Sequence, residues 1–129
     1  MDKKEFTFRG KTMAELKEMN TREFARLLDS KSKRFALRQF QEIEKFTERA
    51  NKKASKNKPI KTHKRDLIVV PKMVGMRVSV YTGRVFESVI FTGEMLGHKF
   101  GEFAPSRGRI KHGKAGVGAT KGSRAKSKK

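Results

Sequence analysis

The feature that most limits what this chain can fold into is where its larger aliphatic residues sit. Leu67-Ile68-Val69-Val70, Met76, Val78, Val80, Val85, Val89 and Ile90 collect in the middle, together with the aromatic Phe91 and with charged sequence on both sides. Residues 1–58 hold 17 basic and 9 acidic residues, residues 59–103 hold 7 and 4, and residues 104–129 hold 9 and none. The middle is therefore nearly balanced, while the flanks carry most of the net charge of +20. Only 35% of the 129 residues are hydrophobic, against the roughly 45–50% usual for globular chains, which leaves little room for a large buried active site. A charge of this size repels itself in a compact free protein and anticipates a polyanion, of which nucleic acid is the first candidate.

Three parts are expected: a helical extension over 1–58, an α+β core over 59–103 and a basic, Gly/Lys-rich extended tail over 104–129. In the first, Thr12-Met13-Ala14-Glu15 and Asn20-Thr21-Arg22-Glu23 place a capping side chain three residues before a glutamate. That pattern satisfies two orphan N–H groups at a helix start and predicts short helices over about 13–19 and 21–29. Ala36, Phe40, Ile43, Thr47 and Ala50 then recur at three- and four-residue steps, with Arg34, Arg38, Lys45 and Arg49 around them, and predict one long helix over about 32–54. Its apolar stripe reads as a packing face. Like charges from Lys52 to Lys58, and Pro59 after them, end the helical pattern.

In the core, Leu67 to Val70 is a continuous apolar run closed by Pro71, which predicts a buried first strand. Met76, Val78 and Val80 alternate with Arg77, Ser79 and Tyr81, Thr82-Gly83 offers a tight turn, and Val85 to Phe91 returns as the partner strand. Thr92 would cap one helical turn over Glu94, Met95 and Leu96, stopped at Gly97. The tail has Ile110 and Val117 as its larger aliphatics, five glycines and no acid. It cannot bury enough surface to offset the entropy of ordering and is expected to be disordered on its own.

Several chemistries lack their residues. No cysteine is present, which removes disulfides, iron–sulfur ligation and cysteine-based zinc fingers. His63, His98 and His112 stand far apart without ligand spacing, so no metal is expected, and no cofactor either. Gly113 to Lys121 looks superficially like a phosphate loop, but its lysine does not directly follow the last glycine and no apolar strand leads into it. Asp66, Glu87, Glu94 and Glu102 lie on separate elements with no triad arrangement, so no enzyme is read. No apolar run approaches the roughly 20 residues of a membrane span and no secretory stretch opens the chain, which reads as a soluble cytoplasmic product.

The basic segments carry a positive signal. Lys61-Thr62-His63-Lys64-Arg65 combines point charges, a guanidinium fork, a hydroxyl and a flat ring, all suited to a phosphate backbone. Gly97-His98-Lys99-Phe100-Gly101 sets an imidazole and an ammonium between glycines. RNA is recognised by such basic and aromatic surfaces. If about eight basic groups meet phosphates, the log–log salt slope is near −7, or roughly four orders of magnitude in affinity between 50 and 200 mM salt. Charge alone leaves a second reading open, an architectural, chromatin-like DNA-binding protein.

Motifs in the core choose between them. Lys61-Thr62-His63-Lys64-Arg65-Asp66, Val70-Pro71-Lys72-Met73-Val74-Gly75, Val80-Tyr81-Thr82-Gly83-Arg84 and above all Met95-Leu96-Gly97-His98-Lys99-Phe100-Gly101-Glu102-Phe103-Ala104-Pro105-Ser106-Arg107 resemble the small-subunit ribosomal protein nineteen family. The likeness covers about 59–107 as a universal core. The part containing Phe8-Arg9-Gly10-Lys11 and the long helix resembles the amino-terminal extension of archaeal and eukaryotic members, the latter called protein fifteen, and Ala104 to Arg107 is nearer the archaeal type. Lys111 to Thr120 resembles the archaeal and eukaryotic tail, whereas Ala125 to Lys129 departs from its more apolar, Phe-containing end.

The resemblance implies a three-stranded sheet with a short helix packed on it, placement on ribosomal RNA in the head of the small subunit beside small-subunit protein thirteen, and a tail reaching toward the decoding region and tRNA. Carried onto this chain, Gly97, His98, Lys99, Gly101 and Glu102 are the main candidates for RNA and partner docking. Gly97 and Gly101 would permit close approach, Glu102 would orient an arginine or accept a donor, and Phe100 and Phe103 would serve equally as core anchors. Lys61, Thr62, His63, Lys64 and Arg65 would form a second RNA surface, with Arg84 at the hairpin tip and Arg107, Arg109, Lys111, His112 and Lys114 along the tail.

Overall fold

The computed structural model describes residues 4–111, 113, 116 and 119–121. His112 and Lys114, both tail candidates, lie outside the described residues. The chain begins with a hairpin of β1 (Thr7–Phe8) and β2 (Lys11–Thr12), whose two-residue turn holds Arg9 at φ 51° and Gly10 at φ 79°. Two consecutive positive φ values match the right-handed twist of the flanking strands, and glycine takes one of them without steric cost.

Both predicted capping glutamates fold back onto their helix starts, the Thr12 motif with both of its hydrogen bonds and the Asn20 motif with the glutamate's. The Thr12 amide donates to Glu15 Oε2 at 2.9 Å and the Glu15 amide to Thr12 Oγ1 at 3.5 Å, opening α1 (Met13–Glu18). The Asn20 amide donates to the Glu23 carboxylate at 3.2 Å at the start of α2 (Thr21–Ala25). α2 is shorter than expected because residues 26–28 tighten into turns, with the Leu27 and Leu28 amides reaching the Phe24 and Ala25 carbonyls.

The expected long helix is two. α3 (Ser30–Arg38) starts at Asp29, whose carboxylate is held below the usual range by hydrogen bonds from Ser32, its hydroxyl first. α4 (Phe40–Ser55) follows after Gln39 leaves helical geometry at φ −113° and ψ 21°. No proline or glycine marks the break. It lets α3 pack on α2 while α4 turns to reach the sheet, and it sets the Phe40 ring 4.1 Å under the Arg22 guanidinium. The stripe itself survives the bend, since Ala36, Ile43, Thr47 and Ala50 are all buried, joined by Phe46.

The sheet has three strands in the order β3–β4–β5, with β3 (Ile60–Thr62) parallel to β4 (Arg77–Tyr81) and β4 antiparallel to β5 (Phe86–Ile90). The first strand is thus Ile60–Thr62 and not Leu67–Val70. The latter run is extended and fully buried, as its composition requires, but it pairs outside the sheet. Gly83, at φ 105°, turns the β4–β5 hairpin, where the Thr82 hydroxyl donates to the Val85 carbonyl at 2.9 Å.

Register sorts the two faces of the sheet. Ile60, Thr62, Val78, Val80 and Val89 turn inward and are buried. Lys61, Arg77, Ser79, Tyr81, Phe86, Ser88 and Ile90 occupy the other face, which remains open enough to leave Ile90 49% exposed. One apolar cluster joins Leu16, Phe24, Ile43 and Phe46 to Leu67, Val78, Phe91 and Phe100, so the amphipathic helices supply one side of the core.

Candidate nucleic-acid interface

The Gly97–Gly101 segment owes its shape to the buried run. Gly97 N–H reaches the Val69 carbonyl at 3.1 Å, Val69 N–H the His98 carbonyl at 2.9 Å, Phe100 N–H the Leu67 carbonyl at 2.9 Å and Gly101 N–H the Arg65 carbonyl at 2.8 Å. This antiparallel ladder turns Phe100 inward, where it is fully buried with ring centroids 5.3 Å from Phe46 and 4.9 Å from Phe91. The residues beside Phe100 are less enclosed. His98 is exposed and Lys99 half-buried, and Phe103 packs edge-on against the His98 ring at 6.0 Å.

Both glycines serve contacts within the chain. A Cβ on Gly97, which sits at φ 80°, would lie 2.7 Å from Leu28 Cδ2, and one on Gly101 would lie 3.1 Å from the Arg65 backbone oxygen. Glu102 orients a histidine where an arginine was among the expected partners. Its Oε2 accepts from His98 Nδ1 at 2.7 Å, which leaves Nε2 of that ring turned away from the pair. Lys99 Nζ lies 4.6 Å from the centroid of the Phe35 ring on α3, a cation–π contact.

Both residues line a cleft of about 620 Å³ between the first zone and the signature segment. Its floor is Phe8, Leu28, Phe35 and Leu96, and Arg9, Lys31, Arg34, Arg38 and Lys99 surround it against Asp29 and Glu102. The volume falls within the range of about 300–1,000 Å³ typical of small-molecule sites, but the cationic rim suits a polyanion.

The second basic segment divides by position. Lys61 and His63 are exposed, and Lys64 is paired with Glu42 of α4 at 2.8 Å, an ammonium that holds this carboxyl below its ordinary range. Thr62 faces inward, and its hydroxyl oxygen accepts the Lys64 amide at 3.1 Å. Arg65 is half-buried, and its guanidinium donates to the Tyr81 carbonyl at 2.6 Å, the Gly101 carbonyl at 2.9 Å and the Ala104 carbonyl at 2.6 Å. It ties the end of β4 to the signature segment. Thr62 and Arg65, expected on an RNA surface, are thus turned to the protein's own backbone. Arg84, Arg107, Arg109 and Lys111 are all exposed.

The family model described as "Ribosomal protein S19" matches residues 30–112, from α3 through the ladder and beyond. The chain belongs to the ribosomal protein S19 family. Two similar relatives, each named small ribosomal subunit protein uS19, come from archaea. The one from Methanococcoides burtonii is 42% identical over 122 residues, covering 95% of this chain and 88% of the relative. The one from Methanocella arvoryzae is 43% identical over 123 residues, covering 95% and 86%. The chain is of the archaeal type, and the S19 family is one of structural proteins of the small ribosomal subunit in the cytoplasm, not of enzymes.

Sequence reasoning missed that the S19 signature faces Arg9, Lys31, Arg34 and Arg38. The four-residue step from Arg34 to Arg38 placed both on one helix face, but only the docking of α3 beside Leu96 shows that this face looks into the cleft. It also missed a groove of about 270 Å³ between α4 and β3, to which Arg49 and Lys53 contribute. Among the described residues no cluster of three or more His, Cys, Asp or Glu is placed to hold a metal, and no helix is long and apolar enough to cross a membrane.

Proposed function

We propose that this chain binds ribosomal RNA in the head of the small subunit, beside small-subunit protein thirteen, with its tail directed toward the decoding and tRNA region. The cationic cleft carries the reading. Five basic side chains from three separate segments converge there around the signature residues, against two acids. His98 and Lys99 present an imidazole and an ammonium beside it, Glu102 orients the imidazole, and Gly97 and Gly101 set the segment close enough to Leu28 and Arg65 to hold that geometry. Lys61, His63 and Lys64 form a second basic surface, and Arg84 at the hairpin tip and Arg107, Arg109 and Lys111 are further exposed basic groups. The position in the head, the neighbouring protein and the path of the tail rest on the family resemblance.

Competition between a ribosomal RNA head fragment and duplex DNA at matched salt tests the reading. Preference for the RNA, with a log–log salt slope near −7, is expected. Equal affinity would favour the architectural DNA-binding alternative. Changing His98 and Lys99 together to alanine should weaken incorporation into small subunits in competition with the unchanged chain while leaving the sheet folded. Unaltered incorporation would remove these two residues from the interface.

A further inference from the structure

The groove between α4 and β3 and the open face of the sheet meet at the β3 edge. Arg49, Lys53, Lys61, His63 and Lys64 line the groove, and no acidic side chain among the described residues does, although Lys64 is partly neutralised from outside by Glu42. Round the edge, the His63 ring lies 4.7 Å from Tyr81 and 5.1 Å from Phe86, and these two are 5.1 Å apart. Lys61 Nζ stands 5.3 Å from the centroid of Phe86. Lys61 and His63 therefore belong to both the groove and the ring cluster. His63 is exposed and Tyr81 and Phe86 are half-buried, so the ring cluster is accessible from solvent.

We propose that this edge takes an unpaired RNA segment, its phosphates in the groove and an unstacked base against the Tyr81–Phe86–His63 rings. The proposal deepens the RNA-binding reading above and rests on it. Charge decides against an ordinary protein partner, because a groove with this many cations and no acid is complementary to a phosphate chain. Ring geometry decides against a duplex, whose bases are stacked on one another and do not offer a face to an aromatic side chain. Ser79 and Ser88, paired across β4 and β5 on the same face, place hydroxyls beside the rings for the edges of a base.

The test uses the full chain and two RNA hairpins of equal stem, one blunt and one with a single-stranded tail carrying 2-aminopurine. The unchanged chain should bind the tailed hairpin more tightly and quench the 2-aminopurine. Tyr81→Leu with Phe86→Leu keeps apolar bulk but removes the stacking faces. It should abolish the quench and cost roughly tenfold or more in affinity for the tailed hairpin, leaving the blunt one unchanged. Lys53→Ala with Lys61→Ala should flatten the salt slope on the tailed hairpin by about 1.4, at about 0.7 per single-strand phosphate. Should the double leucine variant fail to fold, Ser88→Glu places a carboxylate on the exposed face and should remove the tail-dependent gain. Retained quench and affinity in a folded leucine variant, or equal loss on both hairpins, would overturn the proposal while the RNA reading stands. If the unchanged chain binds neither hairpin, both fall.

Discussion

Replacing Arg65 with methionine separates a structural role from an RNA-contacting one. The guanidinium donates to three backbone carbonyls, of Tyr81, Gly101 and Ala104, drawn from two elements far apart in sequence. A hydrogen bond to a charged group contributes about 1.5–3 kcal/mol, so three would give about 4.5–9 kcal/mol if fully shielded. Arg65 is only half-buried and water can reach some of the freed carbonyls, which lowers the expected loss to about 2–4 kcal/mol. Methionine keeps the stem's packing, so the loss isolates the polar end. Urea denaturation should show the midpoint falling with the m-value unchanged, and the melting temperature should drop by about 10 °C for a chain of this size. Arg65→Lys, a single point charge in place of a fork, should recover only part of the loss. A stability change below about 1 kcal/mol in the methionine variant, together with a salt slope for RNA binding flatter by about one, would refute the reasoning and return Arg65 to the phosphate-binding set.

Other expectations follow from the same geometry. Phe100→Ala removes a fully buried ring between Phe46 and Phe91 and should cost about 3–5 kcal/mol in chemical denaturation. Gly97→Ala must hold a side chain at φ 80° with its Cβ 2.7 Å from Leu28, and should destabilise by about 1–2 kcal/mol or more while weakening RNA binding through a displaced His98. The Lys64 ammonium lowers the Glu42 carboxyl in the folded chain, so its stabilisation is complete above the ordinary value of 4.5 and is lost as pH falls through the lower folded value. Glu42→Gln should therefore make stability less dependent on pH across that window, and an unchanged pH profile would show that the pair contributes nothing in solution.

Local signals in the sequence proved legible where local chemistry decides the outcome. The capping glutamates Glu15 and Glu23, the helical stripe through Ala36 to Ala50 and the Gly83 turn all depend on residues within a few positions of one another. So does the burial of Leu67 to Val70, which composition alone demands. The break at Gln39 had no such signal, because it answers to the separate partners of α3 and α4. The short strand at Ile60–Thr62 was hidden inside a basic segment, since its partner Val78–Val80 lies many residues away and a three-residue strand leaves almost no alternation to read.

The sequence by itself determined that a small α+β core is tied to a strongly basic chain, and its signature residues pointed to the S19 family. Which of the basic and glycine residues face outward was decided by tertiary structure alone. Arg65 and Lys64 are neighbours of the same charge, yet one is turned into three backbone carbonyls and the other to a surface glutamate. Gly97 and Gly101 bring the chain close to itself at Leu28 and Arg65. Likewise the cleft exists only because the Leu67–Val70 run pairs with Gly97–Gly101 and α3 docks beside it. Charge and spacing are properties of the chain, but the direction of a side chain follows from which distant backbone groups must be satisfied once water is excluded.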